Sequence, residues 1–330
     1  MANIIERIIK GNRYFYLSKN VKLDKKVKTF SIYLGKSKPS VNALKKKEKI
    51  LAKKIETFLY SYFGQALEKY TSSFLLRGQL LEMEIAKKSF FNKLKRLTTQ
   101  QKEAFSKKQV IDFVYTTLRT EGVDVNSSDV ETAFLALRKK RGESTLNKKV
   151  IISSLMISGY NLLSNIKINK QDLLKLHGIV MSYFEGKSPG QMRDDQRIIM
   201  RFNPKLMTEE EIKYRPPAPA IVEKEFDKFF EWFEQNKTIY PLELAALVHL
   251  KLYLVHPFKD GNKRMCRLIF NKILQDSGYP MLNISKETSE YFENLIKSVE
   301  EKNEKYFVQF CYKTFMQQIK SKSLREQKNR

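Results

Sequence analysis

Apolar and polar residues alternate from Arg13 to Leu34, with Tyr14 and Tyr16 on one side of an extended segment and Phe15 and Leu17 on the other. A period of two predicts a half-buried strand. A charged turn at Asp24 and Lys25 folds it back, and Val27 to Leu34 forms the second arm before Gly35 and Pro39. The prediction is a β-hairpin of about 20 residues, which is marginal alone in water and needs a surface to pack on. Beyond Pro39 the period changes. Residues 41–108 contain no proline and carry Ile50, Leu51, Ile55, Phe58, Leu59 and Tyr62 at helical spacing, so they predict two helices, a hairpin broken near Gly64 or Gly78.

The next helix runs from about Lys108 to Arg119 and stops at Gly122, and Asn126-Ser127-Ser128-Asp129 caps another near Val130. Further helices are predicted over 148–163, 170–183, 222–235, 241–255, 263–277, 287–299 and 303–319. Between Glu185 and Pro219 the helical pattern fails: glycines and prolines precede a short extended stretch, Arg197 to Phe202, and Arg215-Pro216-Pro217-Ala218-Pro219 forms a rigid link. The chain is mainly α, with short β segments.

Charge divides this picture. The formal net charge of the 330 residues is +26. Residues 1–55 hold 16 basic and 3 acidic groups, 86–110 hold 8 and 1, and 319–330 hold 5 and 1, which leaves only +2 for the rest. The body is nearly neutral and the attachments are basic. Such clusters fit binding to nucleic acid or an anionic surface; a solvated lysine-rich face is the plainer account. Two cysteines, Cys266 and Cys311, lie in apolar helical patterns without a secretory context, which predicts free thiols and a cytoplasmic setting. No uncharged run is long enough to span a membrane.

One segment gathers chemistry: Val255-His256-Pro257-Phe258-Lys259-Asp260-Gly261-Asn262-Lys263-Arg264-Met265-Cys266-Arg267. Pro257 disfavours helical geometry at His256, so a helix ends there. Asp260-Gly261-Asn262 turns the chain, and Leu268, Ile269, Ile273 and Leu274 begin a second helix. The unpaired N–H groups at that helix start form an anion site, and Arg264 and Arg267 share a face that adds forked cationic donors. Asp260 offers a hard oxygen suited to Mg²⁺ bridging substrate phosphates, and His256 can take a proton as general base. These are the parts of a phosphoryl or nucleotidyl transfer site. A structural turn with surface arginines is the plainer account of each residue singly. His177 and His249 sit on apolar helical faces and read as core histidines.

The segment resembles the Fic family signature H-x-F-x-[DE]-G-N-G-R-x-x-R, met at His256, Phe258, Asp260, Gly261, Asn262, Arg264 and Arg267. The resemblance extends from about Val110 to Phe315, and the segment Tyr14 to Gly35 looks like the N-terminal module of archaeal Fic proteins. It implies a helical Fic core with a small β-hairpin flap, preceded by a helical hairpin and a β-hairpin module: 1–40, 41–108, a Fic domain at 109–318 and a basic tail at 319–330. It also implies AMP transfer from ATP to a Ser, Thr or Tyr hydroxyl of a target protein. His256 would deprotonate that hydroxyl and Asp260 would hold Mg²⁺. Gly261, Asn262, Lys263, Arg264 and Arg267 would bind the phosphates, and Phe258 would anchor the loop. Gly190, Arg193 and Ile198 look like a target-aligning flap. Thr117, Glu121 and Gly122 match the inhibitory motif [ST]-x-x-x-E-[GN], in which Glu121 would occupy Arg267; a Gly122-capped helix end explains the same residues. Tyr291 or Phe292 would stack on adenine.

Lys263 replaces the second signature glycine, as in the Doc branch that phosphorylates its target, while Gly261, Arg267 and Glu121 point to AMP transfer. A Doc-like protein kinase, an AMP-removing enzyme of the same fold and a nucleic-acid-binding regulator with a vestigial loop are the alternatives, the last acting through the basic N-terminal module. The oligomeric state is open, a homodimer included.

Overall fold

The computed structural model describes residues 2–23, 26–37, 39–138, 147–203, 208–284 and 289–325. They form two units, one of residues Met1–Tyr70 and Leu76–Arg96, the other of Thr71–Leu75 and Leu97–Arg330.

In the first unit, strands β1 (Asn3–Ile9), β2 (Asn12–Leu23) and β3 (Lys26–Gly35) make an antiparallel sheet in the order β1-β2-β3. The predicted hairpin is thus β2 and β3 of a three-stranded sheet, with β1 added along the other edge of β2. The first strand, Asn-Ile-Ile-Glu-Arg-Ile-Ile, lacks period-two alternation because almost all of its residues are exposed. Lys10 and Gly11, at φ 49° and 77°, turn it into β2, the left-handed pair that a tight hairpin requires. The turn predicted at Asp24 and Lys25 lies outside the described residues. One sheet face is apolar: Phe15, Leu17 and Phe30 are buried there. It packs on α1 (Val41–Glu68), whose buried residues Leu51, Ile55, Leu59, Phe63 and Leu67 recur every four positions. Phe30 meets Phe58 at 5.1 Å. Each such buried side chain contributes about 1.5–3 kcal/mol, which is what holds a sheet this small. Helix α2 (Arg77–Lys95) packs beside α1. The break falls just before Gly78, which sits in the first turn of α2, and not near Gly64, which is inside α1. The chain leaves α1 at Lys69 instead.

The connecting residues Thr71–Leu75 join the second unit. Thr71 donates its N–H to the Thr238 carbonyl and accepts from Tyr240, each at 2.8 Å. The buried Glu243 carboxylate accepts from the Ser72 hydroxyl at 2.6 Å and the Ser73 N–H at 2.8 Å. Among the described residues nine helices build the rest: α3 (Thr99–Thr120), α4 (Ser127–Arg138), α5 (Lys148–Leu162), α6 (Lys170–Met181), α7 (Pro219–Gln235), α8 (Pro241–Val255), α9 (Asn262–Asp276), α10 (Ser289–Glu300) and α11 (Lys305–Arg325). Between α6 and α7, β4 (Met200–Asn203) pairs antiparallel with β5 (Thr208–Glu211). Helix α3 begins well before Lys108 because Thr98 and Gln101 form a reciprocal capping box. Helix α8 is the axis of the unit. It is apolar on all sides, packs on α7, α9, α10 and α11, and exposes almost nothing. Its C-terminus therefore presents the next residue, His256, from a rigid base.

Candidate functional site

Helix α8 ends as Pro257 requires: His256 adopts φ 48°, ψ 56°, a left-handed conformation rare for a residue with a Cβ. Two contacts hold it there. The buried Arg193 donates its Nε–H to the His256 carbonyl at 2.7 Å and its backbone N–H to the Pro257 carbonyl at 2.9 Å. The same guanidinium reaches the Asp195 and Pro217 carbonyls, each at 2.6 Å. Arg193, expected on the target-facing flap, is buried and clamps the turn that carries His256. His256 Nδ1 lies 3.3 Å from the Tyr253 carbonyl. A proton on Nδ1 satisfies that carbonyl and leaves Nε2 as an acceptor. Burial, with help from Arg193, Lys263 and Arg197, pushes the His256 pKa down to about 4, against a raising contribution from the Tyr253 carbonyl. The imidazole is neutral at pH 7, the form a general base needs.

The turn is knitted internally. Asn262 accepts from the Phe258 N–H at 3.0 Å and donates to the Phe258 carbonyl at 2.7 Å. Its amide, expected on phosphate, is thus engaged by the loop itself. Gly261 has φ 75°, and a Cβ there would lie 2.7 Å from the Met181 sulfur, so both conformation and space demand glycine. The first backbone bond of α9 runs from Met265 to Gly261 at 3.0 Å, which leaves the N–H groups of Asn262, Lys263 and Arg264 without helical acceptors at the positive end of the helix. Asp260 accepts the Gly261 N–H on Oδ1 at 2.6 Å, leaving Oδ2 open. Among the described residues no group of three or more His, Cys, Asp or Glu forms a metal cage. One carboxylate beside an anion site nevertheless suits Mg²⁺, which binds through a single acid plus substrate phosphates and waters.

Two arginines lie beneath the loop. Arg264 is 4% exposed and Arg267 2%. Arg264 contacts the Met181 sulfur at 2.9 Å and stacks over Phe184. Arg267 pairs with Glu121 at 2.5 Å and donates to the Thr117 carbonyl at 3.2 Å. Even so, Nε of Arg264 and both Nε and Nη1 of Arg267 are buried without a hydrogen-bond partner. Buried donors are rarely left so, and an anion bound beside these two arginines would satisfy them. Glu121 is the C-cap of α3. Gly122 at φ 79° and Val123 close the helix through bonds to Arg119 and Leu118, the glycine-capped end anticipated above. Burial raises the Glu121 pKa, but Arg267, Lys263 and Arg264 outweigh it and the net direction is down; Glu121 still raises that of Arg267. The pair is ionised. Lys263 turns its ammonium over Phe292, 5.2 Å from the ring centre.

The surrounding residues divide. Ile198 is 51% exposed, whereas Ile199 is buried and accepts the Ile212 N–H at 3.0 Å. Lys259 of the loop pairs with Asp194 at 2.7 Å. Tyr291 is fully buried, with its hydroxyl 3.0 Å from His249 Nε2, so its ring faces lie in the core and offer no stacking surface; Phe292 is half-buried. His177 was legible only as a core residue on its apolar face, yet it joins three parts of the site. Its ring stacks on Phe258 at 3.8 Å and 7°. Nδ1 accepts the Gly190 N–H at 2.9 Å, and Nε2 lies 3.0 Å from the Asp260 carbonyl. Burial pushes its pKa down to about 4, although the Asp260 carbonyl raises it. A neutral ring with its proton on Nε2 satisfies both contacts. Gly178 and Gly190 approach closely beside this histidine, a contact that the sequence alone does not report.

Residues 167–274 match the model of the Fic/DOC family. The protein adenylyltransferase Fic of Drosophila grimshawi is 30% identical over 152 residues, 46% of this chain and 29% of its own length. That of Drosophila melanogaster is also 30% identical over 152 residues, 46% of this chain and 28% of its own. The match spans under a third of these relatives. A Fic domain containing signaling protein from Bacteroides thetaiotaomicron superposes with a TM-score of 0.60 at 18% identity, covering 73% of this chain and 94% of that one. A Fic family protein from Desulfovibrio desulfuricans gives 0.62 at 17%, covering 78% of each. Residues 167–274 thus resemble the Fic/DOC family, and the chain folds as these two proteins do.

Proposed function

We propose that this chain transfers AMP from ATP to a Ser, Thr or Tyr hydroxyl of a target protein, and that Glu121 restrains it. The observation that carries the reading is the cradle of three unpartnered guanidinium N–H groups beside free loop amides and a neutral His256. The similarity to protein adenylyltransferases supports it. In the reaction the target oxygen bonds to the α-phosphorus, the bond from that phosphorus to the bridging oxygen breaks, and pyrophosphate leaves. The hydroxyl proton passes to His256 Nε2. The amides of α9 and Arg264 stabilise the phosphates, an effect that grows in a water-poor site. Asp260 would hold Mg²⁺, which supplies charge neutralisation on the phosphates. Exposed Ile198, at the edge of the β4–β5 hairpin, would align an extended target segment by strand addition. Glu121 would act by engaging Arg267, which then cannot turn to the terminal phosphate. Both cysteines are free and buried, in keeping with a reducing cytoplasm, and no helix among the described residues is long and apolar enough to cross a membrane.

Incubation with ATP labelled at the α- or the γ-phosphate, together with candidate targets, tests the reading. Label from the α position should appear on protein and vanish in His256→Ala, since loss of a general base costs about 10²–10⁴-fold. Transfer of γ label instead would make the chain a kinase, the outcome that Lys263 in the loop would favour.

A further inference from the structure

The first unit carries 23 basic and 7 acidic residues, and its sheet has one face covered by α1. The other face is different. In the strand register Arg7 lies opposite Tyr14, Ile5 opposite Tyr16, and Tyr16 opposite Tyr33. Side chains alternate, so these residues share the face away from Phe15 and Leu17. The Tyr14 and Tyr16 rings lie 6.1 and 5.4 Å from Tyr33, and the Arg7 guanidinium sits 5.0 Å over Tyr16. Tyr33 is 45% exposed, and Tyr14 and Tyr16 are half-buried. Farther along the same face, Thr29 donates to Asn20 at 2.8 Å and Ser18 meets Ser31 at 3.4 Å. The strands hold one acid among their described residues, Glu6. It falls on the opposite face and pairs with Arg13.

We infer that this open sheet face binds single-stranded nucleic acid, with the Tyr14, Tyr16 and Tyr33 cluster as its base-stacking platform. Rings on a sheet face, flanked by cations and free of acids, supply both things such a strand offers to bind: π-faces and phosphates. Cations continue past the rings: Lys22, on the same face, reaches the rim of a cavity of about 290 Å³ at the far end of β2, whose other walls, among them Lys88, Lys93, Arg96, Leu23 and Phe63, belong to the helix-covered side, with no acid among its lining residues. Lys88 is oriented by its bond to the Tyr62 hydroxyl at 2.6 Å. Single strands are favoured over a duplex because paired bases hide the faces that tyrosine rings would stack on. A membrane surface would want apolar tips where this face presents tyrosine hydroxyls. The surface lies wholly in the first unit, so it stands or falls apart from catalysis by the second.

Anisotropy titration of the full chain with labelled single-stranded RNA, single-stranded DNA and a duplex of the same sequence tests this, with heparin and anionic vesicles as further probes. Single strands should bind at low salt and weaken as salt rises, with a log–log slope of about −0.7 per phosphate contacted. Tyr16→Ala with Tyr33→Ala should weaken binding by at least about tenfold. Tyr16→Phe with Tyr33→Phe should preserve it, because the ring and not the hydroxyl stacks. Lys93→Gln with Arg96→Gln should flatten the salt slope. Circular dichroism and label transfer by the second unit check that the variants remain folded. The RNA and DNA arms tell which strand is preferred. No binding at low salt overturns the proposal. So does a binding constant that ignores the tyrosines, or duplex, heparin or vesicles bound as tightly as single strands.

Discussion

In the first unit 23 basic residues stand against 7 acidic ones across 91 residues; in the second, 39 stand against 29 across 239. The more basic region holds many of its cations on the surface, as along α1. The nearly balanced region does the reverse at its site, where Arg193, Arg264 and Arg267 are each under 5% exposed. A buried charge must be matched by named partners, because desolvation costs several kcal/mol per ion. An exposed charge needs none and adds mainly to the long-range field. Net charge therefore describes how the first unit meets its surroundings, and says little about the chemistry of the second.

The largest test of that contrast is to remove one partner from an ion pair in each region. Glu121→Gly leaves Arg267 charged in the core and should cost about 3–5 kcal/mol of stability, read as a fall in melting temperature. Saturating ATP should recover part of the loss, because its phosphates replace the carboxylate, and transfer of α label should rise. Glu6→Gln in the first unit breaks a pair whose side chains are 40% and 72% exposed and should cost under about 1 kcal/mol. Equal losses from the two substitutions would end the distinction.

Acidification sharpens it next. All three histidines lie in the second unit. Burial pushes His177 down to about 4 and His249 to about 3, partly offset at His177 by the Asp260 carbonyl and reinforced at His249 by Arg267. The unfolded chain takes up these protons near pH 6.5 while the folded chain does not. Stability is therefore fully present above pH 6.5 and declines as pH falls toward 4, by about 1.4 kcal/mol per pH unit for each buried ring. The carboxylate of Glu121, held low, enters only below about pH 4.5. Hydrogen exchange at pH 7 and pH 5 should show protection falling in α6, α8 and α9 while β1–β3 hold. Uniform loss would contradict the assignment. Transfer activity should likewise fall on the acid side as His256 protonates.

A smaller effect belongs to His177. His177→Phe keeps the stack on Phe258 but drops the bonds to Gly190 and Asp260, two contacts worth about 0.5–1.5 kcal/mol each. A tenfold or greater fall in kcat is expected. His177→Asn, which restores only the acceptor toward Gly190, should recover the KM for target more than kcat. A variant that merely melts earlier, with unchanged kinetics below its transition, would leave His177 a packing residue.

These residues also show what the chain discloses before it folds. Helix α8 is readable because fifteen residues are apolar on every side, with a proline at its start and His-Pro at its end. The turn from His256 to Arg267 is readable because its parts are contiguous. His177 and Asp260 are separated by 83 positions, and no local pattern reports such a contact. Strand β1 hides because it buries almost nothing. Strand β5, Thr-Glu-Glu-Glu, hides because its residues have no strand pattern of their own and are held by pairing with β4. The buried role of Arg193 was invisible for a related reason: arginine is ordinarily a surface residue, and only three carbonyls converging on its guanidinium make the interior tolerable.

The smallest effect is the most direct check on the surface side of the comparison. Lys45, Lys46 and Lys49 are exposed near the N-terminal end of α1, whose first turn has no acid to offset the positive end of the helix. Exposed like charges there repel one another and the helix dipole. Replacing all three with glutamine should leave stability within about 0.5 kcal/mol per site or raise it slightly, and should leave label transfer unchanged. Thermal melts of wild type and variant at low and high salt separate the possibilities, because relief of repulsion shrinks once the Debye length falls to a few ångströms. A gain that persists at high salt would point to helix propensity. A loss of more than about 1 kcal/mol would mean that these lysines have partners after all, and that the charge of the first unit is as specifically matched as the charge beneath the turn from His256 to Arg267.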